Sequence, residues 1–533
     1  EILENNIYGV DINEESVEIA KLSLWLHTAR PGRKLSDLSE NIKCGNSLID
    51  DPAVAHEKAF DWKKEFPEVF GPDDPRGGFD VIIGNPPYVD ASELKKTYSS
   101  EEYDFLKKNY DTAKGTVDLY IYFFEKGLNL LRQNGLLSFI TPNRYLSASY
   151  GKALREYILM KKTFYQLVDY SDKKVFQDAS TYPVITFIKN GKEKQDVLCG
   201  KFDDDHNLIS KKYPNDKLNV LDDSILGFLL NDKLPITQKI VSQSVSLTSV
   251  GKINATSTAK EADEYSEYIT ETSSNGYKLI NTGTIDPYVT MWGYTPLVKQ
   301  GKRFTTPYLP KDEKGISENR HTLYSSAKII ISKIGLTCES FFDKKGEYAS
   351  IDTNCIHSFS EKYLPEYVLC FLNSKLYNYM FECFFDGLRM SGGYLLYSAP
   401  NLKNTYIKGI AVENQKIFVD FADQMLALNA ELLRKRSKFL HRIRETFAGI
   451  KITATLEKFD GMEFRAFAAE LKKQKIKLTL SAQDEWEEYF DSNKKSCNEI
   501  SVQIAEIDDK INAEVYKLYG LTPEEIATVE NLG

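Results

Sequence analysis

The chain has 533 residues, 42% of them hydrophobic, and a formal net charge of −9. A chain of this length can bury more than one hydrophobic core, so two or three domains are expected. It has no apolar run long enough for a membrane helix and no secretory signal at Glu1, which predicts a soluble, cytoplasmic protein. Seven cysteines without a CxxC pair, among only six histidines, argue against disulfides and a structural zinc site.

The first predicted strand ends in an acid. Residues 7–12 (IYGVDI) form an apolar strand that reaches Asp11, and residues 16–26 follow with amphipathic helical spacing. An acid at the carboxyl end of a strand in an open α/β sheet is well placed to bind both hydroxyls of a ribose. A second strand and turn follow at residues 42–49 (IKCGNSLI). Taken singly, such an acid is more often a helix cap, and Gly-Asn-Ser is a common turn.

The most informative signal lies at residues 79–90 (FDVIIGNPPYVD), where an apolar strand runs directly into Asn85-Pro86-Pro87-Tyr88. Two prolines in a row fix φ twice and remove two N–H donors, so the loop offers mainly acceptors. The side-chain oxygen of Asn85 and the carbonyl of Pro86 can both face one amino group, beside the Tyr88 ring. The loop therefore suits a planar base with an exocyclic amine, and the alternative is an ordinary proline turn.

This loop resembles the catalytic motif of amino-group DNA methyltransferases. Its flanking residues resemble the adenine-specific branch found in Type IIG restriction-modification enzymes. The resemblance implies a Rossmann-like, α/β methyltransferase domain that uses S-adenosyl-L-methionine. The same resemblance extends to the strand that ends at Asp11 and to the Gly-Asn-Ser turn, which match the second and third motifs of the family in order and spacing.

Five positions are implied for the cofactor. Asp11 would bind the ribose of S-adenosylmethionine and Ile12 would contact its adenine. Asn46 would bond the adenine edge, with Ser47 nearby. Phe123, in the apolar helical run at residues 117–125, would lie under the cofactor, although a plain core helix is an equal alternative.

The resemblance also implies the catalytic residues. Asn85 and Pro86 would hold the target amine, with Pro87 shaping the loop, and Tyr88 would stack on one face of the flipped base. Residues 174–187 resemble the eighth motif, in which Phe176 would stack on the other face. Tyr182 is a second aromatic that could take the place of Phe176.

The family's glycine-rich first motif precedes the strand that ends at Asp11, but this sequence begins at Glu1 without an initiator methionine. We therefore expect an N-terminally truncated methyltransferase domain, taken from a longer polypeptide. This expectation leaves open whether the chain binds the cofactor by itself.

The pattern of the sequence changes near residue 190. Residues 1–190 alternate strands and helices, which predicts the catalytic domain, with motifs two to eight on a doubly wound sheet. Residues 191–410 carry short β-like runs at 277–280, 327–334 and 348–356 and a helix at 364–376, and they resemble an α+β target-recognition domain. Residues 411–533 show long helical repeats, which predict paired helices, and their end resembles the carboxyl end of Type IIG enzymes. This order is typical of the gamma group of the family.

The negative net charge does not exclude double-stranded DNA as a partner, because basic residues cluster outside the catalytic domain. The clusters are Lys299, Lys302 and Arg303; Arg434, Lys435, Arg436, Lys438, Arg442 and Arg444; and Lys472, Lys473, Lys475 and Lys477. Phosphate contacts and solvated helix faces are both open interpretations.

The sequence thus predicts a site-specific DNA adenine N6-methyltransferase of a restriction-modification or phage-defence system. One alternative is a bifunctional Type IIG restriction endonuclease whose nuclease lies upstream of this chain. Others are a methyltransferase acting on protein glutamine or RNA, and a catalytically silent DNA-specificity subunit.

Overall fold

The computed structural model describes residues 5–28, 38–71, 77–171, 182–193, 195–203, 205–215, 218–219, 221–273, 275–312, 315–390 and 392–531. The chain divides into two compact units. The first comprises Glu1–Asp232 with Phe384–Leu388, and the second comprises Lys233–Cys383 with Arg389–Gly533. The domain boundaries at residues 190 and 410 stay predictions.

The first unit alternates strands and helices, as the sequence predicted. Its strands are β1 (Gly9–Asp11), β2 (Ile42–Cys44), β3 (Phe79–Gly84), β4 (Leu131–Pro142), β5 (Thr163–Asp169), β6 (Pro183–Lys189), β7 (Val197–Phe202) and β8 (Leu208–Tyr213). Its helices are α1 (Glu14–Thr28), α2 (Pro52–Ala55), α3 (Trp62–Glu65), α4 (Pro67–Phe70), α5 (Ala91–Thr97), α6 (Ser100–Asn109), α7 (Leu119–Leu130) and α8 (Lys152–Lys161).

These strands form two sheets. β1 and β2 make a parallel pair, and the other six strands make one sheet in the order β3-β4-β6-β5-β7-β8. In the larger sheet β3 is parallel to β4 and β5 is parallel to β7, whereas the remaining neighbours are antiparallel. The prediction of an α/β fold for this part of the chain is confirmed, with a mixed sheet.

Helix α7 packs closely on β4 because a glycine stands where the two elements meet. A Cβ atom on Gly127 would lie 2.7 Å from the Cδ1 atom of Leu137, so a larger residue would force the Leu137 side chain to move. The rings of Phe124 and Phe139 are 5.3 Å apart beside it. Phe123 lies four residues before Gly127, on the same face of the helix, so this close packing places Phe123 next to the carboxyl ends of the strands.

The second unit is rich in short strands, followed by long helices. Its strands are β9 (Val245–Ser246), β10 (Lys252–Ala255), β11 (Gly276–Asn281), β12 (Ile285–Asp286), β13 (Val289–Thr290), β14 (Leu297–Lys299), β15 (Lys302–Phe304), β16 (Tyr308–Pro310), β17 (Lys328–Ser332), β18 (Ile334–Gly335), β19 (Ser340–Asp343), β20 (Tyr348–Ile351), β21 (Thr353–His357), β22 (Leu395–Leu396) and β23 (Tyr406–Ile407). The helices in this part of the chain are α9 (Leu234–Val241), α10 (Ala259–Tyr265), α11 (Glu318–Ser325), α12 (Pro365–Leu372), α13 (Lys375–Phe385), α14 (Ala399–Lys403), α15 (Val412–Thr446), α16 (Ala454–Glu457), α17 (Phe464–Lys473), α18 (Leu480–Tyr519) and α19 (Pro523–Glu530).

The centre of this unit is an antiparallel sheet in the order β10-β21-β17-β19. All five residues of β17 are buried, as expected for a central strand. A three-stranded sheet in the order β16-β11-β20 lies in the same unit. The strand predicted at residues 277–280 is confirmed, and those predicted at 327–334 and 348–356 are each divided into two short strands. The helix predicted at residues 364–376 ends earlier, as α12 at Leu372, and α13 begins at Lys375.

Two long helices, α15 and α18, pack antiparallel along the end of the chain. Lys435 contacts Ser496, while Phe447, which directly follows α15, contacts Trp486, which comes earlier in α18. An aromatic core fills this end of the pair, where the Phe439 ring stacks on Phe459 at 3.9 Å. The predicted pair of long helices is therefore confirmed. Within the described residues, no helix combines the length and the apolar character needed to cross a membrane.

Candidate active site

The site begins where the parallel strands β1 and β2 end. Because the two strands run in the same direction, the residues that follow them lie at one edge, and the Gly45 N–H donates to the Asp11 carbonyl at 2.9 Å. The exposed Asp11 carboxylate accepts the Asn13 N–H through Oδ1 at 2.8 Å. Its Oδ2 atom makes no hydrogen bond to any described residue, so it is open to a ligand hydroxyl.

The turn after β2 presents an amide. The Asn46 side chain is buried, and its Oδ1 atom accepts the Leu48 N–H at 3.1 Å. The Ser47 carbonyl accepts the indole N–H of Trp62 at 3.0 Å, which fixes the next residue of the turn. Within the described part of the chain the Asn46 Nδ2 atom has no acceptor, so it can donate to a ligand.

The predicted catalytic loop follows β3 directly. Asn85 is exposed, Pro86 is buried and Pro87 is exposed. β3 pairs in parallel with β4, in a register that places Gly84 opposite Phe139, so the loop sits at the carboxyl edge of the sheet. A Cβ atom on Gly84 would lie 2.9 Å from the Phe139 ring, so the strand end needs glycine to pass this ring. The side chain of Asn85 is therefore presented at a crowded, fixed strand end.

Tyr88 is anchored by its hydroxyl group. The hydroxyl donates to the Ile140 carbonyl at 3.2 Å, and partial burial of the side chain raises the pKa of the phenol to about 12. The hydroxyl therefore stays protonated near neutral pH and acts as a donor to the backbone. Next in the chain, the Val89 carbonyl accepts the Leu119 N–H at 2.9 Å, which ties the loop to the start of α7.

Helix α7 forms one wall of the site. It also fixes residues 111–112, which precede it in the chain. Phe123 and Lys126 face the strand ends, and desolvation lowers the pKa of the Lys126 ammonium. The buried Glu125 carboxylate accepts the N–H of Asp111 at 3.1 Å, the N–H of Thr112 at 2.8 Å and the Thr112 hydroxyl at 2.7 Å. These three bonds fix residues 111–112 against the helix.

One cavity of about 440 Å³ brings these pieces together. Eight of the predicted site residues line it: Asp11, Ile12, Asn46, Ser47, Asn85, Pro86, Pro87 and Phe123. Tyr88 stands beside the cavity and is absent from its lining. Phe176 lies outside the described residues, so its predicted place opposite Tyr88 stays a prediction.

The sequence reasoning missed Lys126, which also lines the cavity. A lysine three residues after Phe123 lies on the same face of a helix, so helical spacing from the predicted contact residue gives the signal that could have found it. Lys126 makes no hydrogen bond or ion pair within the described residues, although Asp50 and Asp61 act on it through space. A partly desolvated ammonium on the cavity wall favours a ligand with acceptor atoms.

Comparison with known proteins identifies the region that holds this cavity. Residues 5–176 match the Eco57I restriction-modification methylase family. The first unit thus contains an Eco57I-type methylase domain. Residues 285–395 match the TaqI-like C-terminal specificity domain, and residues 411–515 match a family called domain of unknown function DUF8810.

Individual relatives agree with these matches. The Escherichia coli Type II restriction enzyme and methyltransferase RM.Eco57I is 28% identical over 335 residues, which cover 59% of this chain and 31% of that enzyme. The Xanthomonas vasicola Type II methyltransferase M.XhoI is 35% identical over 117 residues, which cover 22% of this chain and 21% of that protein. The chain thus spans less than a third of the length of these two relatives.

A solved structure is also similar. It is the Type IIL restriction-modification enzyme MmeI in complex with DNA, with a TM-score of 0.48 and 13% sequence identity over 95% of this chain and 67% of that chain. Within this chain, the residues that match the Eco57I methylase family include all eight cavity residues named above. The TaqI-like region lies in the second unit except for Phe384–Leu388.

Proposed function

We propose that this chain is a site-specific DNA adenine N6-methyltransferase of a cytoplasmic restriction-modification or phage-defence system, transferring a methyl group from S-adenosyl-L-methionine to a flipped adenine. One observation carries the proposal. The acceptor-rich loop after β3 meets Asp11 and Asn46 on a single cavity, within a domain of the Eco57I methylase type.

The cavity residues fit S-adenosylmethionine by their chemistry. The Asp11 carboxylate suits the two ribose hydroxyls, and the Asn46 amide nitrogen suits an acceptor on the adenine ring. Ile12 and Phe123 offer apolar surface for that ring, and a volume of about 440 Å³ falls in the usual range of small-molecule sites. When bound, the cofactor supplies an electrophilic methyl group on a sulfonium sulfur.

The loop residues would act on the target amine. The lone pair of an adenine amine is delocalised into the ring, so this nitrogen is a weak nucleophile. Asn85 Oδ1 and the Pro86 carbonyl would accept its two hydrogens, favouring a tetrahedral nitrogen and stabilising the positive charge that develops during attack. Because neither proline has an N–H, these two residues add no donor that would compete with the amine for the acceptors. No covalent intermediate with the protein is required.

The target base must leave the duplex to reach the loop. Extrusion costs a few kcal/mol, and stacking on an aromatic ring would offset part of that cost. Tyr88 is suited to this role because the bond from its hydroxyl to the Ile140 carbonyl holds the ring beside the loop. Phe176 would cover the opposite face of the base.

The TaqI-like region and its surroundings support duplex DNA as the partner, rather than protein or RNA. Some of the clustered basic residues are neutralised within the protein: Arg436 bonds Asp460 at 2.6 Å and Lys299 bonds Asp263 at 3.0 Å. Eight others make no ion pair in the part of the chain that the structure describes, and we propose these for phosphate contacts. They are Lys302, Arg303, Arg434, Lys438, Arg444, Lys472, Lys475 and Lys477.

The test is Asn85→Ala, with Asn109→Ala as the matched control. Asn109 is also exposed, lies in the same unit and bonds within its own helix. Transfer of radiolabelled methyl groups to duplex DNA should fall to background in Asn85→Ala and stay normal in the control, because the lost acceptor acts mainly on the transition state.

DNA affinity, measured by fluorescence anisotropy, should change little in either variant. An Asn85→Ala variant that keeps more than about a tenth of the wild-type rate, a loss below ~1.4 kcal/mol, would contradict the role of Asn85.

A further inference from the structure

A second cavity, of about 500 Å³, lies within the second unit between β10, the end of β21 and helix α11. Lys252 and Asn254 stand on one face of β10, because side chains alternate along a strand. In the antiparallel pair of β10 and β21, Lys252 lies opposite His357, so His357 shares that face. These three side chains form one wall, and residues of α11, among them Arg320, form the other. We name this cavity the β10 cleft.

The lining of the β10 cleft carries positive charge. Among the ten described residues that line it, Lys252 and Arg320 are cations and none is an aspartate or a glutamate. Arg320 is already neutralised, because its guanidinium donates to both carboxylate oxygens of Glu261, at 3.0 and 2.8 Å. Lys252 is exposed and makes no ion pair with any described residue. One uncompensated ammonium group therefore lines the cleft, in a chain whose net charge is −9.

Neutral donors lie beside Lys252. The Asn254 amide nitrogen is 2.8 Å from His357 Nε2, and His357 Nδ1 is 3.0 Å from the Ser358 hydroxyl oxygen. When the Asn254 amide donates to Nε2, the neutral imidazole donates its Nδ1–H to Ser358. The second N–H of Asn254 and the hydroxyl hydrogen of Ser358 then have no acceptor among the described residues. Both can donate to a ligand, together with the ammonium of Lys252.

The electrostatics of His357 also indicate a positive cleft. Burial lowers the pKa of its imidazole, and the ammonium groups of Lys252 and Lys328 lower this pKa further. Lys328 is buried and donates to the Asp343 carboxylate at 2.6 Å, so it adds less net charge than Lys252 does. The arginine–glutamate pair described above is likewise neutral overall. A potential that disfavours the imidazolium is one that attracts an anion.

We propose that the β10 cleft binds a phosphate group, carried either by duplex DNA or by a free phosphate compound such as a nucleotide. Lys252, Asn254 and Ser358 would donate to the phosphate oxygens. A phosphate presents several acceptor oxygens in different directions, which suits donors that come from two strands. A volume of about 500 Å³ is within the usual range of small-molecule sites, so a whole nucleotide fits. The cleft requires no methyl donor, so this proposal goes beyond methyl transfer.

Histidine NMR spectroscopy of the full chain tests the proposal. The chain has six histidines, and His357→Gln identifies the His357 signal. The probes are inorganic pyrophosphate, ATP and a duplex of about 20 base pairs. At least one probe should move the signal and raise its titration midpoint by about one pH unit, because a bound anion stabilises the imidazolium. A response to pyrophosphate or ATP assigns a free phosphate ligand, and a response to the duplex alone assigns the DNA backbone.

Lys252→Ala is the central variant, with Lys260→Ala as the matched control. The Lys260 side chain is 86% exposed, and this residue lies on α10 in the same unit, outside the cleft. Both variants lose one positive charge, so an effect of net charge alone would be equal in the two. Lys252→Ala should weaken binding of the responding probe about tenfold or more, and Lys260→Ala should stay within about twofold of wild type. Asn254→Ala changes no charge and should weaken binding about fivefold.

Salt dependence gives a second readout if the duplex is the responding probe. The slope of log affinity against log salt concentration should then fall by about one in Lys252→Ala and stay unchanged in Lys260→Ala. Lys252, Asn254 and Lys260 are all exposed, so the three variants should keep the melting temperature of the wild type. Weaker binding then reports the lost contact.

Three results would overturn the proposal. They are a His357 signal that no probe moves, a response that is as large in Lys252→Ala as in the wild type, and a loss of binding in Lys260→Ala that equals the loss in Lys252→Ala. The duplex arm rests on the proposed function, whereas the pyrophosphate and ATP arms do not. No readout measures methylation, so failure of the proposed enzyme activity would be seen separately.

Discussion

Two substitutions of Tyr88 separate the contribution of the ring to methyl transfer from that of the hydroxyl group. Tyr88→Phe removes one neutral hydrogen bond, to the Ile140 carbonyl, and keeps the ring. Such a bond contributes about 1 kcal/mol, so kcat/KM for methyl transfer should fall by about fivefold. Tyr88→Ala removes the ring as well, and base stacking adds about 1 to 3 kcal/mol, for a total loss of roughly 30- to 1,000-fold.

The assay is methyl transfer to a short duplex with the target adenine, measured at subsaturating DNA. A duplex with 2-aminopurine at the target position reports base extrusion by its fluorescence, which should fall in Tyr88→Ala and persist in Tyr88→Phe. Tyr165→Phe and Tyr165→Ala are the controls, because Tyr165 is 39% exposed on β5 and does not line the cavity.

Two results would refute the reasoning. If Tyr88→Phe is as damaging as Tyr88→Ala, the hydroxyl rather than the ring is the important group. If Tyr88→Ala retains kcat/KM within about threefold of wild type, ~0.7 kcal/mol, the ring does not hold the base.

Three further predictions concern the cofactor, the stability of the first unit and the choice of DNA sequence. Asp11→Ala should weaken binding of S-adenosylhomocysteine about tenfold or more in calorimetric titration, through loss of a charge-assisted hydrogen bond, and an unchanged affinity would place the ribose elsewhere. Glu125→Leu should cost about 3 kcal/mol or more in urea unfolding, because three donors on Asp111 and Thr112 lose their acceptor, and a cost under about 1 kcal/mol would contradict this account. Exchange of residues 195–410 with those of a related enzyme should change the methylated sequence in single-molecule sequencing while adenine stays the target; a methylated sequence that stays with residues 1–190 would be inconsistent with the recognition assignment.

The convergence of Asp11, Asn46 and Asn85 could be predicted from the sequence, because each stands at or just after the end of a short strand and their order matches the family that the sequence resembles. The carboxyl ends of parallel strands meet at one edge, which is consistent with this grouping. The long helices of the second unit could also be predicted from the sequence, since their apolar spacing continues over many turns.

Other features depend on contacts that local pattern does not encode. The pairing of Arg436 with Asp460 joins residues 24 positions apart and reduces the charge of a cluster that looks uniformly basic in the sequence. Among the described residues, β3 lies at the edge of the six-stranded sheet, which depends on which strands are its neighbours, and the exposure of Ile83 cannot be read from an apolar strand. The antiparallel position of β6 between β4 and β5 likewise appears only in the folded sheet.

The length of the paired helices α15 and α18 determines the distance between the two ends of this part of the chain. α18 runs 40 residues without interruption, which at 1.5 Å per residue is about 60 Å, close to the length of two turns of B-DNA at roughly 34 Å each. One end of the pair is fastened to the rest of its unit through Gln415, whose side chain bonds the backbone of Lys362 and Leu364, and the other end carries the aromatic core around Phe439. The length of the pair therefore sets how far the aromatic core lies from the fastened end. Seven residues added to each helix would move the far end outward by about 10 Å with little rotation, whereas one residue would turn it by about 100°.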